Sequence, residues 1–479
     1  MKVKLLGLTS KNYIEKQINI CAAAGKLSRM PGTVFDALES MEDFEKAKKF
    51  ITRVIGMGHT STIDHDYMVF ALSEVTPVVE QTIIAERFSS FTIKSRREVD
   101  FSNVGFYIPD FHDEDGNILE NNQEIQKKYK IYMQNLFASY EKFIEAGISK
   151  EDSRFVLPYS YHSEIIMGLD GTSLARMIVK LTKTKYSKIT ELKELGENLY
   201  EITKTRAPYI ETLINRETES FESETENILN SLGFKKEYKI LPKPILLSYT
   251  KDIDKTLFIN AISRIYSMEV FDAEKLYNEK IEDNKELKEK IIKSIFDEVD
   301  HEDLRQINLR FQLSIPYAVL THYTRHRRLS LSIPDFAPVN DLSKYITPPS
   351  IESSVLNDFF SEIFANNVKT YQEFKNMGIR DEDLVYFTLS GNVVNVIINF
   401  DGEAFRWICR LRECTKAQWC IRRAVSDMHD LVSDVSEYYS KNLGPDCVTK
   451  HVCGEGKESC GRINAILANL EKEQEKVNN

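Results

Sequence analysis

The stretch Ser231-Leu-Gly-Phe-Lys-Lys-Glu-Tyr-Lys-Ile-Leu-Pro-Lys-Pro244, running directly into Ile245-Leu-Leu-Ser-Tyr-Thr250, decides how this chain is organised. Gly233, Pro242 and Pro244 disfavour helix and charges fill the space between them, so 233–243 reads as a linker. The apolar run behind it reads as a short strand. The chain opens on a similar run, Val3-Lys-Leu-Leu-Gly-Leu-Thr9. Each run leads into a mixed stretch and a small-residue helix start, Cys21-Ala-Ala-Ala-Gly-Lys-Leu-Ser28 and Asn260-Ala-Ile-Ser-Arg-Ile-Tyr-Ser267. Each half then carries a second apolar strand, Tyr67-Met-Val-Phe-Ala-Leu72 and Leu309-Arg-Phe-Gln-Leu-Ser314, followed by a helix and a basic turn. A period of half the chain is far longer than a solenoid repeat and signals a domain duplication. The expected fold is α+β: two duplicated domains, 1–232 and 244–479, each a mixed or antiparallel sheet packed with helices.

Further helices follow from apolar spacing. Ile125, Tyr129, Met133, Leu136 and Tyr140 mark a helix over 121–146. Residues 271–299 are highly charged and read as one or two exposed helices. A helix over 417–443 is expected to stop at Gly444-Pro445. The composition is that of a folded protein: of 479 residues 42% are hydrophobic and 28% charged, with 19 Gly and 13 Pro, which excludes collagen-like or low-complexity chains. No run approaches the roughly 18 apolar residues of a membrane span, and no signal peptide is legible, so a cytoplasmic protein is expected. The net charge of −10 works against nucleic-acid binding but suits a small anion held by a few arginines. Six of the seven cysteines fall in the last fifth. Cys447, Cys453 and Cys460 with His451 offer zinc-type ligands, but intervals of five and six residues are not a standard zinc pair. The tail 444–479 is therefore read as structured, with reduced thiols and no metal.

Five motifs carry chemistry. Thr324-Arg-His-Arg-Arg-Leu-Ser-Leu-Ser332 places Arg325, His326 and Arg327 at a predicted helix end, where a cationic helix cap is an equally good reading. Gly58-His-Thr-Ser-Thr-Ile-Asp-His65 comes upstream. Ser95-Arg-Arg97 and Ser153-Arg-Phe-Val-Leu-Pro158 follow in the first half. Arg410-Leu-Arg-Glu-Cys-Thr-Lys-Ala-Gln-Trp-Cys-Ile-Arg422 lies on the penultimate helix of the second.

Taken in order, these motifs resemble the flavin-dependent (alternative) thymidylate synthases, as two family-like units in tandem. The family pattern is Arg-His-Arg, then seven residues on a Ser, and an Arg two positions later. It also has Gly-His-x-Ser-x-x-Glu-His, Arg-x-x-Leu-Pro, and Leu-Arg before Ala-Gln-Trp-x-Ile-Arg. The two units depart from this pattern in opposite ways. The second keeps Arg325-His-Arg327 and Arg412, but has Asp335 for the Ser and Ala337 for the following Arg. The first has Ala85-Glu-Arg87 for Arg-His-Arg, yet keeps Ser95, Arg97 and Arg154. Its Val179-Lys-Leu-Thr182 has no match to the helix Arg, and Tyr386-Phe-Thr-Leu-Ser390 of the second unit lacks the Arg before Leu-Pro.

The resemblance implies dUMP, methylenetetrahydrofolate, NADPH and FAD as ligands, and dTMP as product. It implies Arg412 as the catalytic cation that stabilises the uracil anion, so no cysteine nucleophile is required. Ser95, Arg96, Arg97, Arg154, His322 and Arg325 would bind the nucleotide. Ser28, His59, Ser61, Asp64, Arg325, His326 and Arg327 would contact the flavin. The complementary losses imply one composite pocket drawing on both units, and a homodimer that forms a pseudo-tetramer of four units. The reciprocal pocket would set Asp335 against a phosphate. Three positions depart further: Ile93 and His322 stand where the family often has Glu and Gln, and the family's Asn-x-Arg appears as Asp170-Gly-Thr172 and Asp401-Gly-Glu403. A uridylate hydroxymethylase on the same scaffold and a non-catalytic nucleotide-binding regulator remain as alternative readings.

Overall fold

The computed structural model describes residues 1–8, 14–207, 209–220, 225–233, 239–334, 336 and 341–477. Asp335, Ala337 and residues 234–238 of the linker lie outside this set. The chain divides into two compact units, one of Met1–Tyr238 with Asp335–Asn392, the other of Lys239–Pro334 with Val393–Asn479.

Each unit holds one four-stranded antiparallel sheet. In the first, β1 (Lys2–Leu8), β2 (Tyr67–Val75), β3 (Ser89–Ile93) and β4 (Ser163–Asp170) lie in the order β1-β2-β4-β3. In the second, β5 (Ile245–Tyr249), β6 (Asn308–Pro316), β7 (Ser330–Ser332) and β8 (Val393–Asp401) repeat it as β5-β6-β8-β7. The registers correspond as well: Tyr67 pairs with Asp170 and Asn308 with Asp401, start of strand against end of strand. Alternation fixes these registers. Leu309, Phe311, Leu313 and Ile315 are all buried on one face of β6. A one-residue slip would expose all four, at a cost on the order of 10 kcal/mol.

Strands β4 and β8, each an inner strand of its sheet, set the helices that follow. Asp170 caps the helix Gly171–Lys183 by accepting from the Ser173 amide at 2.8 Å, and Asp401 caps Gly402–Arg412 by accepting from the Ala404 amide at 2.7 Å. The glycine behind each cap answers to packing. A Cβ on Gly171 would stand 2.2 Å from Ile63 Cγ2, and one on Gly402 2.5 Å from the Leu304 carbonyl oxygen. The Asp-Gly pairs found in place of the family's Asn-x-Arg are thus helix starts built for close approach.

Several boundaries differ from the sequence expectations. Cys21 and Asn260 sit mid-helix, in Ile14–Leu27 and Ile253–Tyr266, rather than at helix starts. The helix expected over 417–443 ends at Ser433, and a short helix Glu437–Lys441 follows, held by Ser436 and the Tyr439 amide donating to Asp254. The segment 410–422 bends between helices Gly402–Arg412 and Trp419–Ser433, so it is not one penultimate helix. Residues 271–299 form two helices, Val270–Lys280 and Lys285–Asp297. They are not wholly solvated, because Tyr277, Ile292, Ile295 and Phe296 are buried. Helix Asn357–Lys375, from the second half of the sequence, belongs to the first unit. There Tyr132 of helix Asn122–Glu145 donates to Asn367 Oδ1 at 2.8 Å, and Phe143 packs on Phe359 and Phe360. No described helix is long and apolar enough to cross a membrane.

Candidate functional site

Helix Pro77–Ile84, which follows β2, is buried at every residue, including Glu80. A carboxylate there requires a cation, and Arg96 provides it: its guanidinium lies 2.6 Å from Glu80 and also donates to the Tyr161 hydroxyl. Burial works against the charge on Arg96, but Glu80 and Tyr161 hold its pKa above the usual arginine value. Ser95 Oγ accepts from the Arg97 amide at 3.3 Å, and the Arg97 side chain pairs with Glu151. Arg154, 3% exposed, donates from Nε to the Glu151 carbonyl at 3.1 Å. Its pKa is pushed down to about 10, first by burial and then by Arg96, with a smaller push from Arg97. Three guanidinium groups therefore crowd together beside two carboxylates, which leaves a positive charge that a phosphate would complete. Ser95, Arg96, Arg97 and Arg154 are brought together as one cluster. The acidic and phenolic partners Glu80, Glu151 and Tyr161 escaped the sequence reading. Glu80 could have been found as the lone charge in the apolar run Pro77-Val-Val-Glu-Gln-Thr-Ile-Ile84.

A second cluster forms in the other unit. Helix Tyr317–Thr324 ends at Arg325 as its C-cap, with His322 buried one turn earlier. Arg412, the last residue of helix Gly402–Arg412, donates from Nε to His326 Nε2 at 3.0 Å. Burial, then Arg412 and Arg325, push the His326 pKa down to about 3. The imidazole is therefore neutral near pH 7, and its Nε2 lone pair faces Arg412. Arg327 is exposed just past the helix end. The neighbouring Arg328 is tied instead to the buried Glu403 at 2.8 Å.

His326 makes the fold pH-dependent in one direction. Its folded pKa lies below the ordinary value of about 6.5, so between pH 6.5 and 3 the unfolded chain binds a proton that the folded chain refuses. Its contribution to stability therefore falls as pH drops through that window, by at most about 1.4 kcal/mol per unit. His326→Gln keeps an acceptor for Arg412 but does not titrate. Thermal unfolding followed from pH 7 to 4 is expected to show a shallower decline in this variant than in the unmodified chain.

Of the first-half residues expected at the flavin, Ser28, His59 and Ser61 lie together. Ser28, Arg29, His59, Ser61 and His65 line a cavity of about 220 Å³ between helix Ile14–Leu27 and the turn Thr60–His65. Arg29 Nη2 and His59 Nε2 are 2.8 Å apart. Asp64 is exposed on the same turn, outside the cavity lining. Between the equivalent elements of the second unit, Arg264 reaches Asp303 at 2.7 Å and Glu298 at 2.9 Å. That cleft, lined by Ser263, Arg264, Glu302 and Asp303, is thus organised around ion pairs, and its lining includes no histidine.

Residues 11–209 and 245–436 each match the Thy1 family, thymidylate synthase complementing protein. The chain belongs to the Thy1 family. It is a tandem duplication, with one Thy1 match on either side of the 233–243 stretch. It is similar to the flavin-dependent thymidylate synthase of Thermococcus onnurineus, 25% identical over 182 residues, which cover 37% of this chain and 69% of that protein. The enzyme of the same description from Clostridium tetani is 25% identical over 221 residues, covering 42% of this chain and 85% of that protein. Among solved structures, a UMP/dUMP methylase PolB from Streptomyces cacaoi aligns with a TM-score of 0.37 at 18% identity, over 45% of this chain and 94% of its own. Thymidylate synthase X from Helicobacter pylori, with FAD and dUMP, aligns with a TM-score of 0.34 at 18% identity, over 45% of this chain and 99% of its own.

Proposed function

We propose that this tandem Thy1 protein is a flavin-dependent thymidylate synthase, which methylates dUMP to dTMP with methylenetetrahydrofolate as one-carbon donor and NADPH as reductant. The observation that carries this reading is the cluster of buried Arg96 and Arg154 with half-buried Arg97, in which burial and then like charges depress one guanidinium. A nucleotide phosphate would relieve that repulsion with bidentate, charge-assisted bonds. The named activity of the relatives supports the same chemistry.

FAD suits the first-unit cleft by the donors there: Ser28 and Ser61 offer hydroxyls, and Arg29 and His59 a charged or imidazole edge. Arg325, His326 and Arg327 of the second unit are the proposed further contacts, and Asp64 flanks the cleft. Bound reduced flavin would supply the hydride. The chain's own task is to hold the uracil and its charge. Arg412, oriented by neutral His326, would stabilise the anion formed when the uracil N3 proton leaves, which makes C5 more nucleophilic. Arg325 and His322 would help seat the nucleotide.

The repeats 1–232 and 244–479 divide these roles, and in this proposal both arginine sets serve one dUMP in a homodimer. The test is product mass from dUMP with reduced FAD and the folate. The unmodified protein is expected to give dTMP, Arg97→Ala and Arg325→Ala none, and an exchanged mixture of the two variants some recovered activity. A hydroxymethylated product would reject the methylation, and full turnover by either single variant would reject the shared site.

A further inference from the structure

Three of the seven cysteines line one space at the end of the helix that carries Arg412, and a fourth lies at its corner. Cys414 lies in the bend after that helix, Cys447 in the short helix Asp446–Thr449, and Cys453 and Cys460 on either side of the turn Gly456–Glu458. Cys414, Cys447 and Cys453 line a common cavity of about 330 Å³. Cys453 Sγ is 3.6 Å from the hydroxyl of Ser459, which brings the adjacent Cys460 to the same corner. Cys460 in turn meets Thr415, the neighbour of Cys414. None of the four cysteines is in a disulfide.

Arg410, Arg412 and Lys416 line the same cavity together with Asp446 and Glu455, and Arg410 is paired with Asp446 at 2.7 Å. A separate trio, Cys409, Glu413 and His429, lies within 4.8 Å but is no competitor. Both ring nitrogens of His429 are already engaged, by Glu413 at 2.8 Å and the Ser440 carbonyl at 3.0 Å.

We infer that Cys414, Cys447, Cys453 and Cys460 are the four thiolate ligands of a soft-metal centre in this tail. The set departs from the sequence reading, which considered His451 and chose reduced thiols. His451 is exposed and outside the cavity lining, and Cys414, from before the last long helix, completes the four. No three of these sulfurs lie within 4.8 Å of one another. A single tetrahedral zinc would set them about 3.8 Å apart. The wider spacing and the cavity size fit a four-iron, four-sulfide cluster, and binding would release the thiol protons as the ligands ionise.

The test is metal content of the full chain purified without oxygen, before and after incubation with ferrous iron and sulfide or with zinc alone. The expected result is about four iron and four acid-labile sulfide per chain. One zinc per chain with no iron uptake would keep the four-thiolate site and identify its occupant as zinc. Cys460→Ser, at an exposed position that folding tolerates, is expected to lose at least tenfold in bound metal, whereas Cys420→Ser keeps the full amount. A protein that takes up neither metal, or a Cys460→Ser variant as metal-rich as the parent, would overturn the inference.

Discussion

Arg412→Ala is expected to lower the rate of dTMP formation about 100- to 1,000-fold, with dUMP affinity changed only a few fold. The asymmetry follows from when the charge is needed. Ground-state uracil is neutral, so a cation beside it adds little to binding. The anion formed on loss of the N3 proton is where a preorganised guanidinium acts. Its orientation is set by Nε donating to His326 at 3.0 Å, and that imidazole stays neutral because burial and two arginines hold its pKa near 3. Arg412→Lys restores charge but not the planar fork, and is expected to recover only part of the loss. Saturation kinetics with dUMP check this. A fall confined to KM would assign Arg412 to binding, and an unchanged kcat would remove it from the chemistry.

How far the sequence discloses this architecture can be judged residue by residue. Strands β1, β2, β5 and β6 are legible because a short apolar or alternating run ends in polar residues. Strands β4 and β8 are not, although Val394, Val396, Ile398 and Phe400 of β8 are buried in alternation with Asn395, Ile397 and Asn399, because Ile397 breaks the polar face and blurs the period. The duplication was visible in the paired motifs, and the matching sheet orders agree with it. The placement of helix Asn357–Lys375 in the first unit was not visible, since its amphipathic pattern states that one face is buried but not against which partner. In the candidate site the arginines were found by motif. Their carboxylate partners Glu80 and Glu151 were missed because spacing along a chain carries no information on which buried charges meet. Cys414 was set apart from the tail cysteines for the same reason: a bend between two helices, not sequence proximity, brings it to Cys447.

Arg154→Met is expected to weaken dUMP binding by at least about 100-fold, and to leave the ligand-free protein melting at the same or a higher temperature. The two effects share one cause. Arg154 is 3% exposed and sits against Arg96 and Arg97, which together with burial bring its pKa down to about 10. Without a phosphate, that third cation is held in place at the expense of stability, as buried charge commonly is. Methionine fills a similar volume and removes the buried charge and its repulsion from Arg96 and Arg97, together with the Nε–H donation to the Glu151 carbonyl and the attraction to Glu151 and Tyr161. With a phosphate bound, the same substitution removes a buried, charge-assisted contact whose loss costs about 2–5 kcal/mol. Arg87→Met serves as the control, since Arg87 is exposed and outside the cluster. Thermal unfolding with and without dUMP separates the outcomes: the unmodified chain and the Arg87 variant should gain stability from dUMP, and the Arg154 variant should not. If Arg154→Met instead melts well below the parent while still responding to dUMP, Arg154 is a structural residue and the phosphate site lies elsewhere.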